Sequence, residues 1–493
     1  MDLFSRREFL NRSAILSAAA ASLGASGVTA ADDKPVAANA RADRLRVAVV
    51  GVRSRGMSHV NGFLNKNVNC EITTVCDCDE APSVIGSAMK RIEGAQGKAP
   101  AFVKDIRKVV EDKDIDVVSI ATPNHWHALM AVWAMQNGKD VYCEKPATHN
   151  VHEGAIMTAA ARKYKRICQV GTQSRSNPGM RQAIDYVRGG KLGKVDLAVG
   201  LCYKPRGSIG EAGLKEGDQK PPATMDYDLW CGPAPLKMPR RNGKFGPVHY
   251  DWHWIWDFGN GDLGNQGVHE MDKARWGLGK TTMPNAVFSL GGRFGYVDDG
   301  ETANTQLCVF DYLDAKMIFE VRGLNTKDYK GAKVGNIWVG TDGYLVCPSY
   351  SGGVAYDKAG KEVAKFNGGN DQYHFDNFVK AVRSRKVEDL NCDIAEGHLS
   401  AALCHLANIS YRSGTELPLS KAAAVSNDKT VNEFAARMVE HLKENKVDVE
   451  GTTGRFGPSL AIDVKTEKFT NHEKANAMLF REYRKGFELK EVV

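Results

Sequence analysis

The chain has 493 residues, which is too long for one typical domain and points to two or three. Hydrophobic content of 43% and charged content of 25% are ordinary for a globular protein. The net charge of +7 is spread along the chain, with no Lys/Arg run interleaved with aromatics, which argues against a nucleic-acid partner.

The N-terminus reads Ser5-Arg6-Arg7-Glu8-Phe9-Leu10, then a short Ala/Ser/Gly-rich apolar stretch from Ala14 to Val28, then Val28-Thr29-Ala30. The stretch is too short and too weakly apolar to span a membrane, so residues 1–31 read as an export signal. Paired arginines before Phe-Leu resemble a twin-arginine signal, which predicts a periplasmic or otherwise exported protein that folds before export. Residues 32–44 are Ala-rich and polar and read as a linker. The 11 cysteines are odd in number and scattered in apolar runs. They read as buried free thiols and not as a disulfide framework or zinc site, and no metal is expected.

From Leu45 the pattern predicts strand 45–50, helix 57–66, strand 71–77, helix 81–93, short helix 105–110, strand 116–121, helix 126–137, strand 140–143, helix 151–164 and strand 167–171. That alternation implies βαβ units in a doubly wound parallel sheet. The first strand, Val47 to Val50, ends at Gly51, and Gly56 opens the helix. Strand, glycine turn and helix is the context of a dinucleotide-binding turn, in which the helix N-terminus faces a pyrophosphate. Arg53 stands where the second glycine of that pattern belongs. It either holds the backbone off the pyrophosphate or binds a phosphate itself, and Arg55 is a second cationic candidate beside it. Asp77 ends the second strand, where an acid binds both ribose hydroxyls of NAD and repels the 2′-phosphate of NADP. Asp79 competes for that role.

The third informative strand runs into Thr122-Pro123-Asn124-His125-Trp126-His127. Ligands of open α/β sheets bind beyond the carboxyl ends of strands, so Thr122, Pro123, Asn124 and His127 are expected at the cofactor, with Asn124 as the cap of the next helix. The next strand ends at Glu144-Lys145-Pro146. Pro146 biases Lys145 toward an extended conformation. A lysine there can reach a substrate hydroxyl and favour alkoxide formation as hydride leaves.

Taken in order, the glycine turn, Thr-Pro-Asn-His-Trp-His, Glu-Lys-Pro and Gly171-Thr172-Gln173 resemble the Gfo/Idh/MocA oxidoreductase family, which includes glucose–fructose oxidoreductase and inositol dehydrogenase. The resemblance covers roughly residues 45 to 412. It implies an N-terminal Rossmann domain (45–168) and a C-terminal α/β substrate domain (169–420) with a large open, mostly antiparallel sheet over the cofactor. Lys145 would match the family's catalytic lysine, with Glu144 and Gln173 beside the cofactor. The cofactor would be NAD or NADP, held tightly, and the protein a homo-oligomer.

Periodicity in the second half predicts helix 178–188, strand 195–203, a long Gly/Pro-rich section to Pro247, and strands near 285–295, 304–312, 316–323, 334–340 and 343–348. Helices follow near 372–384 and 394–412, and Tyr227 to Pro233 is expected to pack across the first domain. Residues 421–493 form an extension to which no function is assigned. Trp252-His253-Trp254-Ile255-Trp256 is unusually aromatic, and Trp254 and Trp256 are candidates for stacking on a sugar. Asn265 and His269 are four apart on a helix expected over 268–278 and can converge on a substrate. The family pattern Asp-x-Gly-x-His implies that His269 is the acid/base beside Lys145. Asn265 replaces the usual Asp and cannot accept the proton, so it would orient the substrate or His269, and Asp262 or Asp272 would substitute for the missing acid.

These residues point to hydride transfer between a sugar or polyol hydroxyl and the nicotinamide. Free NAD is scarce outside the cytoplasm, so an exported enzyme would carry its cofactor and regenerate it in place. The same constraint suits a redox-neutral NAD-dependent glycoside hydrolase or lyase acting through a keto-glycoside, although the Tyr-Pro-Thr-His signature is absent. A non-catalytic member that binds NAD or sugar is the third reading, motivated by Arg53 and Asn265.

Overall fold

The computed structural model describes residues 44–492. The signal and nearly all of the linker expected at the N-terminus lie outside the described residues. Among those described, no helix is long and apolar enough to cross a membrane.

The first half builds a six-stranded parallel sheet in the order β3-β2-β1-β4-β5-β6. Its strands are β1 (Leu45–Val50), β2 (Cys70–Cys76), β3 (Ala101–Val103), β4 (Val117–Ile120), β5 (Asp140–Cys143) and β6 (Cys168–Val170). The helices between them include α1 (Arg55–Phe63), α2 (Pro82–Gln96), α3 (Ile106–Glu111), α4 (Asn124–Gln136) and α5 (Val151–Lys163). The apolar runs that end β1 and make up β4 and β5 are buried throughout, as strands covered by helices on both faces must be. Chain order reverses where β1 lies between β2 and β4, which opens a crevice beyond the strand ends. β3 escapes the sequence pattern because three residues at a sheet edge carry too short a period to detect.

The second half, after helix α6 (Pro178–Arg188), is organised on a large mixed sheet of mostly antiparallel pairs. Strand β7 (Val195–Tyr203) lies in its middle, parallel to one neighbour (Lys316–Arg322) and antiparallel to the other (Val334–Gly340). Helices α7 (Val268–Gly277) and α9 (Ile394–Arg412) pack on one face through Met271, Ala274, Leu403 and Ala407. Between them in sequence, α8 (Gln372–Ser384) turns back to the first sheet, where Phe375 stacks on Tyr142 at 4.8 Å.

The C-terminal residues complete the sheet. Helix α10 (Lys429–Glu444) covers its other face, with Phe434 and Met438 among Val199, Leu201 and Ile337. Strands at Thr453–Phe456 and Leu460–Asp463 extend its edge. The last stretch then crosses to the first domain: Phe487 packs edge-on to Trp126 at 5.6 Å, and Arg484 bonds the Gly232 carbonyl at 2.7 Å. All 11 cysteines are free, ten of them buried.

Candidate active site

Gly51 ends β1 at φ +79°, a conformation that L side chains rarely adopt. A Cβ on Gly56 would lie 1.9 Å from the Gly51 carbonyl oxygen, so only glycine lets α1 start this close to the turn. No side chain caps α1, which leaves its first-turn N–H groups without side-chain acceptors. Asp77 stands across the turn. Its carboxylate accepts the Val52 N–H and the Asp79 N–H at 3.1 Å each, and burial raises its pKa to about 6 against the pull of those bonds. Asp79 is committed elsewhere, to Thr224 at 2.7 Å and His249 at 2.8 Å.

A cleft of about 410 Å³ opens beyond these strand ends. It is lined by Gly51, Arg53, Arg55 and Asp77 from the first two βα turns, and by Thr122, Pro123, Asn124 and His127 from the turn between β4 and α4. Glu144, Lys145 and Gln173 follow from the next two strand ends, and Asn265 and His269 from the second domain. Among the described residues, no cluster of His, Cys, Asp and Glu is arranged to hold a metal ion.

Glu144 is a hub beneath the cleft. It accepts from Arg55 Nε at 2.7 Å, Gln173 Nε2 at 3.0 Å and His59 Nε2 at 3.2 Å. Burial acts to raise the carboxyl, but Arg55 and His59 outweigh it and hold it well below the usual range. Arg55 also pairs with Asp371 at 2.8 Å, while its Nη2 is a buried donor without a partner on the cleft wall. Lys145, half-buried, sends its ammonium to the Asn265 carbonyl. Burial lowers its pKa and the Glu144 charge opposes the fall.

His269 is 7% exposed, with its ring 4.8 Å from that of Tyr350 and its Nδ1 unpartnered. Burial, reinforced by the Lys145 charge, holds its pKa well below the ordinary value, so the imidazole is neutral. It follows one π-helical turn, Leu263–Gly267, that leads into α7. Such turns occur disproportionately at functional sites.

Several expectations are corrected. Asn124 does not cap α4; it is the first helical residue, and its Nδ2 donates to Asn260 Oδ1 at 3.1 Å. His127 lines the cleft, yet its two ring nitrogens each face a main-chain carbonyl at 2.7 Å, of Pro146 and of Thr122, so the ring is turned toward its own loop. His125 likewise bonds the Trp230 carbonyl at 2.9 Å. Trp254 and Trp256 do not line the cleft: Trp254 is buried beneath Arg206, and Trp256 lies in a separate cavity. Asp272 does not stand in for the missing acid; it forms a bidentate pair with Arg175 and accepts from Ser400. Asp262 pairs with Arg206 at 2.7 Å.

The cleft also holds residues the sequence did not single out. Tyr350 comes from a loop eighty-odd residues after His269, too remote for any local pattern. Its hydroxyl accepts from Gln266 Nε2 at 2.5 Å. Within the aromatic run it is His253, with Trp252, that reaches the cleft, a position the flanking tryptophans mask in the sequence.

Residues 45–172 match the model of an oxidoreductase family with an NAD-binding Rossmann fold, and residues 195–445 match that family's C-terminal alpha/beta domain. Glycosyl hydrolase family 109 protein 1 of Shewanella sp. (strain MR-4) is 28% identical over 211 residues, 42% of this chain and 42% of that protein. Levoglucosan dehydrogenase of Pseudarthrobacter phenanthrenivorans is 28% identical over 185 residues, 38% of each. The chain thus spans about two fifths of the length of these curated relatives. The WlbA dehydrogenase of Bordetella pertussis, solved with NADH and UDP-GlcNAcA, superposes with a TM-score of 0.54 at 18% identity, over 75% of this chain and 97% of that one. At that identity the likeness shows a shared fold.

Proposed function

The chain belongs to the Gfo/Idh/MocA oxidoreductase family, and from that premise we propose that it transfers hydride between a sugar or polyol hydroxyl and a tightly bound nicotinamide cofactor. One observation carries the reading: Lys145 and His269, from different domains, line the same cleft as the Gly51 turn and Asp77.

The residues fit a dinucleotide. The uncapped start of α1 and the unpartnered Arg55 Nη2 are donors suited to a pyrophosphate, and Asp77 is an acceptor suited to ribose hydroxyls. That acid favours NAD over NADP. A nicotinamide held here supplies the hydride acceptor. Lys145 binds the reacting hydroxyl and stabilises negative charge as it forms on the oxygen. His269 is neutral and so can take the hydroxyl proton, returning it in the reverse direction. Asn265 is an amide and takes no proton; its carbonyl holds the Lys145 ammonium in place.

A second reading rests on the family 109 glycosyl hydrolase relatives. In it the same residues would hold a glycoside hydroxyl and take its proton while a bound nicotinamide would supply the hydride acceptor for a redox-neutral loss of the aglycone. Both readings suit a protein that carries its cofactor through the export route proposed from Arg6 and Arg7. Mass spectrometry of nucleotide released from the denatured protein, with product analysis on a panel of sugars and glycosides, tests them. A keto-sugar with NADH supports the dehydrogenase, and released aglycone with unchanged NAD supports the hydrolase. A protein that neither carries nor binds a nicotinamide nucleotide contradicts both.

A further inference from the structure

A second cavity, of about 210 Å³, shares no lining residue with the cleft. Its wall joins His149 and Asn150 before α5, the segment around Trp256, Arg412 at the end of α9, and Arg481 near the C-terminus. Arg481 donates from Nη1 to His149 Nδ1 at 3.3 Å and from Nη2 to the Asp257 carbonyl at 3.2 Å. The Arg412 guanidinium lies over the Trp256 ring, 4.9 Å from its centroid. Neither arginine has an ion-pair partner within 4.0 Å among the described residues.

The cavity has a surplus of donors. Because His149 Nδ1 accepts from Arg481, the proton of its neutral ring sits on Nε2. Arg481 Nε is buried without a hydrogen-bond partner, while the Trp256 carbonyl faces the His149 ring and the Tyr483 hydroxyl faces the Asn150 amide, 5% exposed. The carboxylates nearby act on the two arginines through space, and their hydrogen bonds go to other donors. Glu153 takes the His149 N–H at 2.6 Å and the Tyr483 hydroxyl at 3.0 Å, and Asp257 takes Lys237 at 3.0 Å. Glu301, which acts on Arg412 through space, takes the Trp256 N–H at 2.7 Å. His405 is neutral, its pKa lowered to about 3 by burial, and bonds Thr148. Burial also pushes both arginines below their ordinary value, a cost that an anionic partner would offset.

Two guanidiniums without ion-pair partners, one of them with an unanswered Nε donor, beside one void call for an acceptor with several oxygens. We propose that this cavity is a second binding site, distinct from the nucleotide cleft, that takes a small oxyanion, a carboxylate or phosphate group, between Arg412 and Arg481. Asn260 joins it to the cleft: its Nδ2 donates to the His149 carbonyl at 3.2 Å, and its Oδ1 accepts from Asn124 at the start of α4.

Calorimetric titration of the full chain, with the cleft saturated by NAD and ionic strength held constant, tests the site using inorganic phosphate and, separately, acetate. Saturable binding is expected for at least one. Arg412→Met, at the exposed edge, should weaken it about tenfold or more while leaving the ligand-free melting temperature unchanged. Phosphate alone identifies a phosphate ligand, and acetate binding identifies a carboxylate. Absence of saturable binding by either anion, or binding that Arg412→Met and Arg481→Met both leave intact, overturns the proposal.

Discussion

The Lys145 ammonium donates to the main-chain carbonyl of Asn265, four residues before His269. The contact ties the end of β5 to the turn that opens α7, so the two candidate groups are held together by the fold before any substrate arrives. It also sets a pH dependence. The ammonium is the form that stabilises an alkoxide, and its pKa lies below the ordinary 10.5 because of burial. Turnover should therefore fall as pH rises through a value below 10.5. His269 should add no limb near 6.5, because burial holds it well below that value. A pH profile of kcat with a limb near 6.5 that His269→Gln removes would contradict this assignment.

Asp77 should decide the cofactor. Asp77→Ala removes the acceptor for the ribose hydroxyls and the repulsion of a 2′-phosphate. NAD affinity should fall about tenfold or more, and preference should move toward NADP. Equilibrium binding of both dinucleotides measures it.

Asp272 should act on stability. It answers the buried Arg175 guanidinium in a bidentate pair and takes the Ser400 hydroxyl at 2.6 Å. Asp272→Asn removes the bidentate partner of that cation and leaves it only Glu396 at 3.1 Å, which costs about 3 kcal/mol. Urea denaturation should show the loss, while the pH profile of any residual activity stays in place.

The C-terminal crossing should matter as much as a core strand. Phe487 is 6% exposed and packs on Trp126, beside the loop that borders the cleft. Phe487→Ala should destabilise the protein by about 3–5 kcal/mol in the same denaturation assay.

What the sequence revealed follows what local chemistry can encode. The β1 run, Gly51, Gly56 and Lys145 each sit in a short pattern whose physical requirement is local, so their places were readable from neighbours alone. His269 was readable through the family pattern. Asp272's role escapes the sequence because spacing along a helix shows which residues share a face but not which cation lies opposite, and Arg175 is almost a hundred residues away. Trp254 and Trp256 escape sequence reading because an aromatic run looks the same whether it lines a cleft, fills a core or walls another cavity. The strands past residue 350 are short and flanked by Gly, Ser and Lys, so their pairing is set by the neighbouring strands more than by their own pattern. The role of the C-terminal extension as a sheet cover and a strap depends on contacts with residues more than two hundred positions earlier, which no window along the chain can contain.

The account rests on Lys145 acting on a substrate hydroxyl beside a bound nicotinamide. The most direct measurement is the reduced-nicotinamide absorbance of NAD-loaded protein, followed in a single turnover across a panel of sugars, for the native chain and Lys145→Met. The account predicts a transient or lasting rise with at least one sugar, slowed about a hundredfold or more in the variant while the variant still binds NAD. An equal rise in both proteins would contradict it.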